Sequence, residues 1–271
     1  MNTTTPSPSA SSPITLISWN VNGIRAAYKK GFLTWLEATQ PDILCLQETK
    51  IHAHQLTEDM KNPPFGYHAF YSHAERAGYS GTAIWSKTPP LRVETGFGFP
   101  EFDSEGRTVI AEFEQFILYG TYYPNGGNAT KGRLTYKHQF YDAFLTQHLQ
   151  PLVTVGKPII LTGDFNTAHY PIDLARPKEN EKKSGFMPEE RVWLDKLVDM
   201  GFVDTFRAIH PNEAERYSWW DMQTRARDRN VGWRIDYFFA TQNLMPFVVE
   251  ADIHDQTMGS DHAPCVLKLA F

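Results

Sequence analysis

The sequence predicts an α/β fold in which two packed β-sheets are flanked by helices. Three observations lead to it. Short runs rich in Ile, Val, Tyr and Phe recur along the chain, bounded by Gly, Pro, Asn or Asp. Helical periodicity is confined to a few segments between them. No sequence period of about 20–50 residues repeats, which argues against a solenoid or a propeller.

The runs read as strands are 14–19, 43–46, 82–85, 108–113, 116–122, 159–162, 237–240 and 265–269. Segment 32–38 reads as a helix that must stop before Pro41, because the residue ahead of a proline is pushed out of the helical region. Segment 134–149 places Phe140, Phe144 and Leu145 on one face. Pro188, followed by Glu189 and Glu190, opens a helix carrying Trp193, Leu194 and Leu197. Proline suits a first turn, and acidic side chains complement the positive end of the helix dipole.

Of the 271 residues, 41% are hydrophobic and 21% charged, enough apolar material for a sizeable core. No apolar run approaches the roughly 18 residues of a membrane span, so no membrane partner is expected. Residues 14–271 read as one catalytic domain. Residues 1–13 are mostly Asn, Thr, Ser and Pro and read as a disordered tail, without the basic and apolar regions of a secretory signal. Cys45 and Cys265 each sit in an apolar run, which points to buried free thiols and an intracellular location. No C-x-x-C pair suggests a structural zinc. A monomer is the default expectation. The net charge of −5 argues against a protein that coats nucleic acid. Local basic groups (Arg25, Lys29, Lys30; Lys178, Lys182, Lys183; Arg225, Arg227, Arg229, Arg234) are weak support for a phosphate partner, since such groups are usually solvated faces.

Polar groups stand at the ends of the apolar runs. Asn20-Val21-Asn22-Gly23 and Gln47-Glu48-Thr49-Lys50 follow the first two, Tyr122-Tyr123-Pro124-Asn125 closes a later one, and Gly163-Asp164-Phe165-Asn166 follows 159–162. Asp236 and Ser260-Asp261-His262 instead precede their runs. Antiparallel neighbours bring the end of one strand beside the start of the next. One rim of the fold can therefore collect Asn20, Asn22, Glu48, Tyr122, Asp164, Asn166, Asp236, Asp261 and His262. Carboxylates and amides are hard oxygen donors suited to Mg²⁺ or Mn²⁺ rather than zinc. A cation there polarises a phosphoryl oxygen, and His262 with a carboxylate partner supplies acid–base capacity near neutral pH. Taken singly, each residue has a plainer reading. A strand-ending Asp or Asn is commonly a turn former, a lone histidine is usually structural, and Asn125-Gly126-Gly127 reads as a turn.

Six segments together resemble the successive motifs of the exonuclease III/AP endonuclease family. They are Ser18-Trp19-Asn20-Val21-Asn22-Gly23-Ile24-Arg25, Leu46-Gln47-Glu48-Thr49-Lys50, Tyr122-Tyr123-Pro124-Asn125, Gly163-Asp164-Phe165-Asn166-Thr167-Ala168-His169, Asn230-Val231-Gly232-Trp233-Arg234-Ile235-Asp236-Tyr237 and Gly259-Ser260-Asp261-His262-Ala263-Pro264. One alone is a weak signal; six in the family's order, within 14–271, are specific. The resemblance implies a four-layer α/β sandwich of two packed, mainly antiparallel β-sheets flanked by helices. It implies a Mg²⁺-dependent DNA repair nuclease, with Mn²⁺ as a substitute, that hydrolyses the phosphodiester 5′ to abasic sites in double-stranded DNA. Exonuclease and phosphodiesterase activity at damaged 3′ ends is implied as well.

Residue roles come from the same resemblance. Glu48 would be the principal metal ligand, helped by Asn20, Asn22 and Asp261, with Asp164, Asn166 and His262 also in the metal set. Asp164 would orient or deprotonate the attacking water, Asn166 would hold that water or a phosphate oxygen, and Tyr122 would bind the scissile phosphate. His262, oriented by Asp236, would stabilise the charge on it. Trp219, Trp233 and Ile235 match the wall of a pocket for a flipped-out baseless sugar, which is easier to extrude because no base must be unpaired. Trp220 reads as core. Asn180 matches a phosphate contact, and Arg133, Tyr136 and Lys137 lie on a helix facing the DNA backbone. Arg25, Asn125 and Arg225 complete the DNA-binding set. Contacts of this kind position a duplex without reading its sequence.

The chain departs from the family pattern at Asn22, where some members carry Asp, and at Lys183, where an asparagine is common. Gln223 and Arg225 lie in a segment that varies among members, and no DNA-inserting residue is assigned in the loop 126–132. A nonspecific DNase or a phosphatase of the same superfamily would share the Glu, Asp-x-Asn and Ser-Asp-His elements but generally lacks the Trp-containing Asn230–Tyr237 segment. A non-catalytic DNA-binding relative should have lost rim residues, and here Glu48, Asp164, Asn166, Asp236, Asp261 and His262 are all present.

Overall fold

The computed structural model of the chain describes residues 12–127 and 131–271. Residues 1–11 of the expected tail and 128–130 of the loop 126–132 lie outside the described residues. The strands, in chain order, are β1 (Ile14–Asn20), β2 (Ile43–Gln47), β3 (His68–Ser72), β4 (Thr82–Ser86), β5 (Arg92–Thr95), β6 (Thr108–Glu112), β7 (Ile117–Tyr122), β8 (Ile159–Asp164), β9 (Phe202–Asp204), β10 (Trp219–Trp220), β11 (Gly232–Trp233), β12 (Asp236–Thr241), β13 (Val248–Ile253) and β14 (Cys265–Leu269). Two six-stranded sheets form, ordered β13-β14-β1-β2-β4-β3 and β5-β6-β7-β8-β12-β9, with β10 and β11 as a separate small ribbon.

Side chains alternate across each strand, and both faces of the interior strands are covered. Leu16, Ile43 and Cys45 from one sheet meet Val109, Leu118, Ile160 and Phe238 from the other in the central layer. Ile17, Trp19, Leu44 and Trp85 point the other way, onto Ile24, Phe32 and Leu36 of the helices Ile24–Lys29 and Phe32–Thr39. Tyr119, Phe165 and Phe239 pack outward onto Phe140, Phe144, Leu194 and Leu197 of the helical segments that include Lys131–Asp142 and Pro188–Asp199. The result is helix, sheet, sheet, helix. The expected helix over 134–149 is present, except that Ala143–Leu149 is wound more widely, as a π-helix.

Each sheet is mixed rather than uniformly antiparallel: β1 runs parallel to β2, and β7 to β8. Parallel neighbours need a long crossover, and helices supply it in both places. Gly163 is required where β8 leaves its sheet. Its φ is +137°, and a Cβ there would sit 1.8 Å from the Thr121 carbonyl oxygen.

Candidate active site

The two parallel pairs set the position of the site. Asn20 pairs with Gln47, so Asn20, Asn22 and Glu48 leave β1 and β2 at the same end. Tyr122 pairs with Asp164 at the end of β7 and β8. The antiparallel partner β12 begins there, with Asp236 opposite Asp164. On the first sheet β14 is antiparallel to β1, which returns residues 260–262 to Asn20; the Ser260 hydroxyl donates to the Asn20 carbonyl at 2.7 Å. All nine rim residues named from the sequence converge. The structure adds that parallel pairs, as well as antiparallel ones, do the collecting.

Several of these residues hold backbone conformations that side chains resist. Asn22, Glu48, Lys50 and Asn166 have φ of 46°, 51°, 51° and 50°. Non-glycine residues in this region cost on the order of 1–3 kcal/mol each and cluster at functional sites.

Two polar groups face each other. The first is built on Asp164, which is buried. One carboxylate oxygen accepts the Asn166 N–H at 2.8 Å; the other accepts the side-chain amide of Asn20 at 3.0 Å, reaching across between the sheets. His262 Nδ1 lies 2.9 Å from Asp236 Oδ2, its Nε2 lies 3.8 Å from Asp164, and Ser218 donates to the same Asp236 oxygen at 2.7 Å. Asp236 Oδ1 is buried without a hydrogen-bond partner. Burial and the neighbouring Asp236 raise the Asp164 pKa to about 7. Burial alone would lower that of His262, but Asp236 and Asp164 outweigh it and raise the pKa to about 10.

The second group is a chain of oxygens and one ammonium. The Tyr122 hydroxyl donates to Glu48 Oε1. Lys50 Nζ lies 3.3 Å from Glu48 Oε2 and donates to Asn22 Oδ1 at 2.6 Å. The Asn22 amide donates to Asp261 at 2.9 Å, and the Trp219 indole to its other oxygen at 3.1 Å. Burial works against ionisation of Asp261, but His262 and these donors hold its carboxyl below the usual range.

Asn20 and Asn166, both expected near a metal, are arranged around Asp164. Their side-chain oxygens accept from the Asn22 N–H at 3.0 Å and the Asn125 amide at 2.9 Å. One ligand atom from each of Asp164, Asp236 and His262 lies within 4.8 Å of the others, close enough to share a cation. A histidine whose pKa is about 10 must first shed a proton to join it.

Both groups line an open cleft of about 820 Å³, whose apolar wall is Trp219, Trp233 and Ile235. Trp219 and Trp233 are paired across the β10–β11 ribbon with their rings 78° apart, and Ile235 is backed by Ala168, Leu174 and Phe186. Asn125, Asn180, Lys183 and Gln223 reach the same cleft. The Asn180 amide is anchored on the carbonyls of Ala175 and Arg176 at 3.1 and 3.0 Å. Trp220 is core, as expected, at 3% exposure.

The basic residues separate. Lys137 is a correction: it does not face a DNA backbone but is 1% exposed, donating to Glu190 at 2.7 Å and to the Asn166 carbonyl and Thr167 hydroxyl at 2.8 Å. Its position on the helix turns it inward against the Asp164–Thr167 loop. Arg234, grouped with the surface cations by sequence, is buried between Asp173 and Asp204. Arg25 and Arg225 are exposed outside the cleft lining, whereas Arg229, from the same segment as Arg225, is part of it. Arg133 lies over the half-buried Tyr136 ring at 4.6 Å and lines a neighbouring hollow of about 640 Å³ with Arg76 and Tyr79. Sequence reasoning missed Lys50 and Ser218. Lys50 lies within a quoted motif two residues after Glu48, whereas Ser218 carries no local signal.

The family model described as "Endonuclease/Exonuclease/phosphatase family" matches residues 17–262. The chain is 44% identical over 253 residues to an exodeoxyribonuclease of Bacillus subtilis, covering 93% of this chain and 98% of that one. It is 43% identical over 258 residues to the DNA repair nuclease APEX1 of Danio rerio, covering 94% and 82%. Among solved structures, an AP endonuclease from Archaeoglobus fulgidus superposes with a TM-score of 0.85 at 32% identity, covering 94% of this chain and 99% of that one.

Proposed function

The chain belongs to the Endonuclease/Exonuclease/phosphatase family, and from that footing we propose that it is a Mg²⁺-dependent DNA repair nuclease. It hydrolyses the phosphodiester 5′ to an abasic site, trims damaged 3′ ends, and acts as an intracellular monomer of one domain. The observation that carries the reading is the cleft itself, where an ionisable Asp164 and a cationic His262 stand opposite the oxygens of Glu48, Asn22 and Asp261.

The residues fit a hard divalent cation. Glu48, Asn22 and Asp261 offer oxygens, and the Lys50 ammonium bound to the first two marks where positive charge is held. When bound, a divalent cation supplies charge that polarises a phosphoryl oxygen. Asp164, with a pKa near neutrality, takes a proton from the attacking water, and Asn20 and Asn166 fix its direction. His262 stays protonated and donates to a phosphate oxygen from Nε2, its other nitrogen held by Asp236. Water oxygen bonds to phosphorus as the bond to the 3′ oxygen breaks, and the leaving oxygen takes a proton from solvent, giving a 3′-hydroxyl and a 5′-deoxyribose phosphate. Trp219, Trp233 and Ile235 receive the baseless sugar, whose extrusion costs less because no base must be unpaired.

The test uses end-labelled duplexes, one with a single abasic-site analogue and one undamaged, with Mg²⁺ or chelator. Cutting 5′ to the lesion is expected only with Mg²⁺, and Asp164→Asn should lower it by about 100-fold or more. Equal cutting of both duplexes would make the chain a nonspecific DNase. Cleavage of neither would end the nuclease reading.

A further inference from the structure

Arg107 is buried directly behind Tyr122, outside the cleft lining. The turn Glu105-Gly106-Arg107 enters β6 pressed against the chain at His73, where a Cβ on Gly106 would lie 2.3 Å from the His73 carbonyl carbon. Arg107, the next residue, is 2% exposed. Its Nη1 donates to the Tyr122 carbonyl at 2.8 Å, and its own carbonyl accepts the Tyr122 N–H at 2.8 Å. The guanidinium carbon stands 4.8 Å from the centre of the Tyr122 ring. The remaining donors go to Glu105 at 2.6 Å and to the Tyr79 hydroxyl at 2.9 Å. Arg133 binds the same two partners from the neighbouring hollow.

A buried charge is a costly filler, and an apolar side chain would pack the space without needing Glu105. The rigid guanidinium fork reaches the carbonyl, the carboxylate and the hydroxyl from three separate nitrogens while its central carbon stands over the ring; a lysine would have to present all its donors from one atom. We propose that Arg107 is a positioning residue for the reaction: it fixes Tyr122 so that its hydroxyl meets Glu48, and through Glu105 and Tyr79 it ties that hydroxyl to Arg133 in the neighbouring hollow. The proposal rests on the nuclease reading for its substrate but not for its geometry.

Arg107→Lys is compared with the parent chain and, separately, in a Tyr122→Phe background, with kcat and KM measured on the abasic duplex in Mg²⁺. In the parent, kcat should fall about 10-fold or more, since misplacement of about 1 Å at a reacting group costs up to roughly 100-fold. KM should change by less than about threefold. In Tyr122→Phe the same substitution should change kcat by less than about twofold, because the hydroxyl it positions is gone. Equal fold-losses in the two backgrounds overturn the proposal. A second readout is the Cζ resonance of Tyr122 in ¹³C-tyrosine-labelled protein, assigned by its loss in Tyr122→Phe. It should move in Arg107→Lys, and an unmoved resonance also overturns the proposal. If Arg107→Lys gives no cooperative melt, Glu105→Gln replaces it under the same criteria. A parent chain that leaves the abasic duplex intact removes the nuclease reading, and the resonance still decides the role of Arg107.

Discussion

At the scale of single residues, Asn22 shows how a small change in charge tunes the site. Its amide bridges two anions' surroundings at once, accepting from Lys50 and donating to Asp261. Asn22→Asp would set one carboxylate against another and strengthen the hold on any cation between them. In chelator the variant should melt below the parent, by a shift worth about 1 kcal/mol. Calorimetric titration should show tighter Mg²⁺ binding, by several-fold to about 10-fold. An unchanged affinity would mean that Lys50 already neutralises the added charge. Residue identities at the rim were legible because the chemistry demands carboxylates, amides and a histidine at strand ends. The inward turn of Lys137 was not. Its neighbours on the helix, Tyr136 and His138, are half-buried, and a lysine in such a stretch reads as a surface charge until Glu190 is seen beside it.

At the scale of elements, legibility followed burial. The eight runs read as strands are β1, β2, β4, β6, β7, β8, β12 and β14, which are the interior strands of the two sheets. The four edges, β3, β5, β9 and β13, were not read. An edge strand keeps one side open to water, so it need not carry a continuous apolar run. β5, Arg-Val-Glu-Thr, has three exposed residues of four, and β9 is only three residues long. What holds the site's loop to its supporting helix is the Lys137–Glu190 pair. Glu190 also accepts from Ser184 at 2.9 Å and from the Gly185 N–H at 2.6 Å, so one buried carboxylate joins the Asp164–Thr167 loop to the cleft wall. Removing one partner leaves the other charge unpaired in the interior. Lys137→Met should cost about 3–5 kcal/mol in urea unfolding, and adding Glu190→Gln should recover part of it. A loss below about 1 kcal/mol would show that the pair contributes little to holding the loop.

For the whole molecule, the charges gathered at one rim make stability depend on pH. His262 has a folded pKa of about 10, above its ordinary 6.5, so its contribution is complete below 6.5 and is lost as pH rises towards 10. Asp164, raised from 3.8 to about 7, acts in the same direction but in a lower window: stability falls as pH rises from 3.8 to about 7, and the fall above 7 belongs to His262. In chelator, melting temperature should therefore fall between pH 7 and pH 10, more steeply in the parent than in His262→Gln. Parallel slopes would show that His262 is not held protonated. The pairing of β14 with β1, which delivers Ser260, Asp261 and His262 to Asn20, has a further consequence for a chain still being made. The site's first and last contributors are separated by most of the sequence and meet only when that pairing closes, a contact of the high sequence separation that carries a large loop-closure cost. A nascent chain lacking residues 260–262, or a fragment released by proteolysis, has the acids and the tyrosine but no site. Cutting of DNA should therefore require the closed β14–β1 pairing, and a chain truncated before residue 260 should leave the abasic duplex intact.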